Sequence, residues 1–170
     1  MKVIIETERL FLRELIAADA VWLSKVLSDE ESMKYYPHPF SAVEVDEWIA
    51  RNIKRYKENG FGLWAVIRKS DNAFIGDCGI TLQDIDGRML PEIGFHVIGE
   101  YRNMGYAGEA AAACREYAVN KLKYERVYSY TRSGNLASQR VALKNGMKEV
   151  KRYIKDGIEL VVFEYCVNKN

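Results

Sequence analysis

The stretch that most constrains this chain covers residues 91–117, PEIGFHVIGEYRNMGYAGEAAAACREY. It opens as a strand, because Glu92, Ile93, Gly94, Phe95, His96, Val97 and Ile98 form a run built on β-branched and aromatic residues. The run breaks at Gly99 and resumes at Gly105 as an alanine-rich helix. There Ala107, Ala110, Ala111, Cys114, Tyr117 and Ala118 recur at the spacing of one helical face. Between strand and helix lie Arg102, Asn103, Met104, Gly105, Tyr106 and Ala107. A turn at that place leaves backbone N–H groups unpaired at the positive end of the helix dipole, and small residues let a phosphate approach them. An ordinary strand–loop–helix crossover fits the same pattern.

Composition narrows the class of protein. A length of 170 residues suits one domain with one core, spanning 1–170. With 48% hydrophobic and 29% charged residues it reads as a soluble globular chain. A formal net charge of +1 gives no reason to expect a nucleic-acid or membrane-surface partner. No apolar run approaches the length of a membrane span, and acidic residues come too early in MKVIIETERL for a signal peptide. Cys78, Cys114 and Cys166 are odd in number and widely spaced, which points to a reducing, cytoplasmic setting and to buried small hydrophobes. His38 and His96 are too few for a histidine-based metal site unless carboxylates complete it, and no metal is expected.

Residues 8–14 alternate charge and hydrophobe, as a half-buried first strand would. Asp19 is placed to cap a helix with Val21, Trp22, Val26 and Leu27 on its apolar side. Pro37 and Pro39 break any helix through Tyr35–Phe40, whose aromatics suit either a substrate wall or a hydrophobic plug. A second helix starts near Ser41, carries Val45, Trp48, Ile49, Ile53 and Tyr56 in register, and ends at Asn59-Gly60. Strands over 63–67 and 73–80 flank a turn at 69–72, and another turn at 84–87 precedes the organising strand. After the long helix, residues 127–131 read as a strand parallel to 92–98, because a helical crossover joins them. A short helix from Leu136 to Lys144 and a hairpin over 147–167 complete the chain. The fold class is α+β, around a mixed, mostly antiparallel sheet of about seven strands with helices on both faces.

Three motifs resemble one family. Arg102-x-x-Gly105-x-Ala107 is similar to the R/Q-x-x-G-x-G/A pyrophosphate loop of the GNAT superfamily of N-acetyltransferases. Thr7-Glu8-Arg9-Leu10 with Leu12-Arg13 resembles the TERL-x-LR opening of its RimJ/RimL-like branch. The segment from Asn135 through Ser138, Arg140, Val141, Lys144 and Gly146 to Met147 resembles that branch's N-x-x-S-x-R-V-x-x-K-x-G-F, with Met147 replacing phenylalanine. The resemblance implies that strands 92–98 and 127–131 splay apart to admit acetyl-CoA. It also implies cofactor contacts from Val97, Ile98, Arg102, Asn103, Met104, Gly105, Tyr106, Ala107 and Asn135, with backbone N–H groups near Val97 meeting the oxyanion. A tyrosine that protonates the departing thiolate in many relatives is absent, its position being Ala142. The branch offers Ser138 instead, although Asn135 and Ser138 equally suit helix capping.

The general base is sought among carboxylates. Glu92 is unexpected in so apolar a run, and it matches an acidic residue with this role in several relatives. Strand alternation sets Glu92, Gly94, His96 and Ile98 on one side unless a bulge intervenes, so His96 is a rival base. The expected activity is acetyl transfer from acetyl-CoA to a primary amine, of a small molecule or a protein N-terminus, by direct attack in a ternary complex. The alternative is a non-catalytic module that binds CoA or a nucleotide and acts through a partner. Neither the acceptor nor the oligomeric state is specified by these residues.

Overall fold

A computed structural model describes residues 2–167. Its sheet is built from β1 (Val3–Glu6), β2 (Leu10–Arg13), β3 (Leu63–Arg68), β4 (Phe74–Ile85), β5 (Arg88–Val97), β6 (Arg126–Arg132), β7 (Lys148–Lys155) and β8 (Ile158–Cys166). The helices are α1 (Ala20–Leu27), α2 (Ala42–Asn59), α3 (Tyr106–Asn120) and α4 (Leu136–Lys144). The strands lie in the order β1-β2-β3-β4-β5-β6-β8-β7, and β5 with β6 is the parallel pair. The α+β class therefore holds, with eight strands in place of about seven.

The added strand is β1. Residues 3–6 are too short a run to show alternation, and they become a strand by pairing antiparallel with β2 across the turn at Thr7. The turn before β5 is also tighter than the sequence suggests. β4 runs on to Ile85, and only Asp86 and Gly87, both at positive φ, make the turn. That is the two-residue hairpin geometry whose twist matches the strands. Asp156 and Gly157 repeat it between β7 and β8.

Two apolar clusters sandwich the sheet. Leu10, Leu12, Trp64, Val66, Ile75, Ile80 and Ile93 meet the small-residue face of α3 at Ala110, Ala111, Cys114 and Ala118. On the opposite face Ala65, Ile67, Phe74 and Ile98 meet Leu23, Val26 and Leu27 of α1 and Val45 and Ile49 of α2. The buried stripe of α1 is thus Leu23, Val26 and Leu27, while Val21 and Trp22 are 63% and 44% exposed. Val26 and Leu27 are buried as expected, whereas Leu23 takes the place of Val21 and Trp22, and Trp22 stacks under Lys25 at the surface. Asp19 does not cap α1 either. Its carboxylate accepts from the Ile16 N–H and binds Arg13 at 2.7 Å, pinning the turn before the helix to β2. Ser41 does cap α2, accepting from the Glu44 N–H, and Gly60 closes it at φ 79°. Cys78 and Cys114 are buried with sulfurs 3.6 Å apart, whereas Cys166 is exposed, against the expectation of burial for all three.

Candidate active site

β5 and β6 pair at a single position, Glu92 opposite Tyr128. Beyond it their carboxyl ends part into a wedge, as the resemblance implied for strands 92–98 and 127–131. In sheets of parallel strands, such an opening at the carboxyl ends is where ligands enter. On the α3 and α4 side, Ile93, Phe95, Ser129, Ala142 and Met147 line a small cavity in the wedge. Ile98 donates its N–H to Ile75 of β4, so that residue's backbone is spent inside the sheet. Strand N–H groups alternate in direction, so those of Phe95 and Val97 face the wedge. The Val97 carbonyl there already accepts from Arg102 Nε at 3.3 Å.

The loop leaving β5 turns through Asn103 at φ 60° and Gly105 at φ 82°, the latter standing at the N-cap of α3. Among the described residues nothing accepts from the N–H groups of Tyr106, Ala107 and Gly108. This is the unpaired first turn that suits a phosphate. Tyr106 can offer only its backbone, because its ring is buried beneath Arg9, 4.6 Å from the guanidinium. Arg102 is held through Nη2 by the Ser32 hydroxyl. The tertiary structure also explains the TERL opening. Thr7 Oγ1, the Arg9 N–H and Arg9 Nε all bind the Glu109 carboxylate, at 2.5, 2.9 and 2.6 Å, and Arg9 Nη1 binds the Met104 carbonyl. The motif near the amino terminus is a clamp on the first turn of α3.

On the other side of the sheet, the β4–β5 register runs unbroken from Ile85↔Arg88 to Gly76↔Val97, so Glu92 and His96 share a face. Gly94 lies between them, and a Cβ there would stand 3.1 Å from Glu92 Oε2. The carboxyl group therefore folds back along the strand over a position without a side chain. It accepts from Thr81 at 3.3 Å. Burial raises its pKa to about 7, against the opposing pull of the Thr81 hydrogen bond, His96 and Arg55.

His96 is held differently. Its Nδ1 meets Asp77 at 2.7 Å, its Nε2 meets the Tyr36 hydroxyl at 2.7 Å, and the other Asp77 oxygen accepts from Trp48 Nε1 at 3.0 Å. Burial disfavours the imidazolium, but Tyr36 and Asp77 outweigh it and push the pKa up to about 10. With both ring nitrogens protonated, each donates to its partner. Sequence reasoning missed Asp77 and Trp48, although an acid in the middle of the apolar strand 73–80 was a visible signal. Tyr36 belongs to the loop read as either a substrate wall or a hydrophobic plug, and its neighbour Tyr35 donates to the Gly134 carbonyl across the mouth of the wedge.

At the start of α4, Asn135 Oδ1 accepts from the Ser138 N–H at 3.2 Å, which caps the helix and leaves the Asn135 amide protons free. The Ser138 hydroxyl is half-buried and makes no hydrogen bond among the described residues.

This geometry can be set beside known proteins. The model of the acetyltransferase (GNAT) domain matches residues 9–148. The chain belongs to the GNAT acetyltransferase family. It is 33% identical to the Bacillus subtilis (strain 168) protein YkkB over 159 residues, 93% of this chain and 92% of that one. It is 31% identical to the uncharacterised N-acetyltransferase YnaD of the same organism, covering 85% and 82%. The crystal structure of a GNAT-family acetyltransferase from Bacillus anthracis superposes with a TM-score of 0.82 at 25% identity, covering 95% of this chain and 97% of that one. As a GNAT protein the chain is an acetyl-CoA-dependent acyltransferase, and acetyl transfer is its reaction.

Proposed function

We propose that this GNAT enzyme transfers the acetyl group to a primary amine, of a small molecule or a protein N-terminus, by direct attack in a ternary complex. The observation that carries the reading is the position of Glu92. Its carboxyl group, with a pKa near neutrality, stands where β5 and β6 part, on a strand that leads into the open first turn of α3.

The amine nitrogen attacks the thioester carbon, its proton passes to Glu92, and the carbon–sulfur bond breaks. The N–H groups of Tyr106, Ala107 and Gly108 hold the pyrophosphate, with Arg102 adding charge once it leaves Ser32. The free amide of Asn135 suits the pantetheine arm. The Val97 N–H suits the developing oxyanion. The departing sulfur takes its proton from Ser138, which recovers one from water as Glu92 releases the amine proton to solvent. His96 is a poor base because both ring nitrogens already carry protons at neutral pH. The setting is cytoplasmic in this reading, and among the described residues no helix is long and apolar enough to cross a membrane.

Free-thiol release from acetyl-CoA with a panel of amines tests the reading. Acceptor-dependent release supports it, and tight acetyl-CoA binding with no release from any amine would leave only the non-catalytic module. Ser138→Ala is expected to lower kcat about ten- to a thousandfold, with a smaller change in KM for acetyl-CoA. A change confined to KM reassigns Ser138 to cofactor binding.

A further inference from the structure

The face of the sheet that carries Glu92 and His96 is covered by α2, which holds a cation that the reaction above does not use. Arg55 lies on the face of α2 that carries Trp48 to Asp77 and Asn52 to the Leu63 N–H. Its side chain is half-buried, and among the described residues its one hydrogen bond is from Nη1 to Asn52 Oδ1 at 3.3 Å. Among the described residues no carboxylate pairs with it. Arg13 and Arg68, by contrast, meet Asp19 at 2.7 Å and Asp71 at 2.6 Å. A guanidinium cannot shed its proton, so partial burial without a counter-ion is a standing cost.

Along α2, Trp48 meets Asp77 and Asn52 meets Leu63, which pairs with Gly79. The next turn, with Arg55, therefore lies toward Thr81 and its partner Glu92, and the two charges act on each other. His96 is the other cation that acts on Glu92. His96 is already matched by Asp77. Glu92 cannot serve as a permanent counter-ion for Arg55, because a general base loses its charge each time it accepts the amine proton. Thr81 donates to Glu92 at 3.3 Å. Tyr36 closes the far side of His96, its hydroxyl 2.7 Å from Nε2. Tyr130 is kept a neutral phenol, since burial and the nearby Glu92 raise its pKa to about 12. Asp77 on the same face is taken by His96 and Trp48, which leaves Glu92 for an amine and Arg55 for an acceptor group of the same ligand.

We propose that the acceptor is an amino acid, its carboxylate received by Arg55 and its amine presented to Glu92. This rests on the acetyl-transfer reading and narrows it. A planar guanidinium binds a carboxylate through two parallel hydrogen bonds, which fixes orientation as well as adding affinity. The pair would then hold the nucleophilic nitrogen in line with the thioester.

The test compares L-methionine, L-leucine and L-phenylalanine with their methyl esters and amides by thiol release, under saturating acetyl-CoA. Esterification makes the amine easier to deprotonate, so intrinsic reactivity favours the ester, and a preference for the free acid has to come from the site. At least one free acid is expected to exceed its ester in kcat/KM by about ten- to a hundredfold. Arg55→Met should bring that ratio near one, Arg55→Lys should restore part of it, and acetyl-CoA affinity by calorimetry should be unchanged in both. Esters used as well as acids overturn the proposal, as does a ratio that persists in Arg55→Met. Turnover with peptide N-termini or polyamines alone also overturns it, while leaving acetyl transfer intact. No release with any amine removes the acetyl-transfer reading itself. If Arg55→Met does not fold, the acid-to-ester ratio of the wild type and of Arg55→Lys still decides.

Discussion

Glu92→Gln is expected to lower kcat about a hundredfold and to abolish the acidic limb of the pH–rate profile, with acetyl-CoA affinity retained. The size follows from the chemistry. An alkyl amine is mostly protonated at neutral pH, and general-base catalysis is worth about a hundred- to ten-thousandfold, of which water can replace a part. The sign follows from the pKa. The Glu92 carboxyl group titrates at about 7 because burial disfavours its charge. The active anion therefore forms as pH rises through 7, and the wild-type rate climbs to a plateau above it. Glutamine has the same shape and still fits over Gly94, so the wedge and the acetyl-CoA contacts stay in place. Measuring kcat/KM from pH 5.5 to 9 in Glu92→Gln and His96→Gln decides the assignment. Should the limb survive in the first and vanish in the second, the base is His96.

Gly105→Val is expected to weaken acetyl-CoA binding at least a hundredfold in calorimetry. Gly105 sits at φ 82°, a conformation that a β-branched residue adopts only under strain, and it ends the turn that aims the α3 N–H groups outward. A Cβ there would also stand 3.2 Å from Arg9 Nη2, disturbing the clamp that holds Glu109 and Met104. A stability loss on the order of 1–3 kcal/mol should accompany the change. Thermal unfolding must therefore be measured alongside affinity, at a temperature where the variant remains folded. Unchanged affinity in folded Gly105→Val would remove this loop from the cofactor site.

Arg9 shows where sequence reading stops. The motif containing it was visible, but its task was not, since its partners Met104 and Glu109 lie about a hundred residues away. Asp77 makes the same point for the site. An acid in an apolar strand was legible, whereas its pairing with His96 and Trp48 needed β4, β5 and α2 brought together. That pairing is what separates His96 from Glu92, two groups that strand alternation alone leaves equivalent. Arg55 left no trace at all, because on a helix with many charges only the facing sheet distinguishes a solvated arginine from an unmatched one.

What the sequence determined by itself is local. Ser41 and Gly60 bound α2 because capping and positive φ are properties of single residues and their near neighbours. The open turn before α3 was readable for the same reason, and so were the hairpin before β8 and the parallel crossover from β5 to β6. Tertiary structure decided what depends on partners distant in sequence. It made a strand of residues 3–6, set the buried stripe of α1 on Leu23, and placed β8 between β6 and β7. It also laid α2, with Arg55, over the face of β5 that carries Glu92 and His96. Those outcomes rest on burial and charge pairing between segments far apart in the chain, and periodicity within a segment carries no information about them.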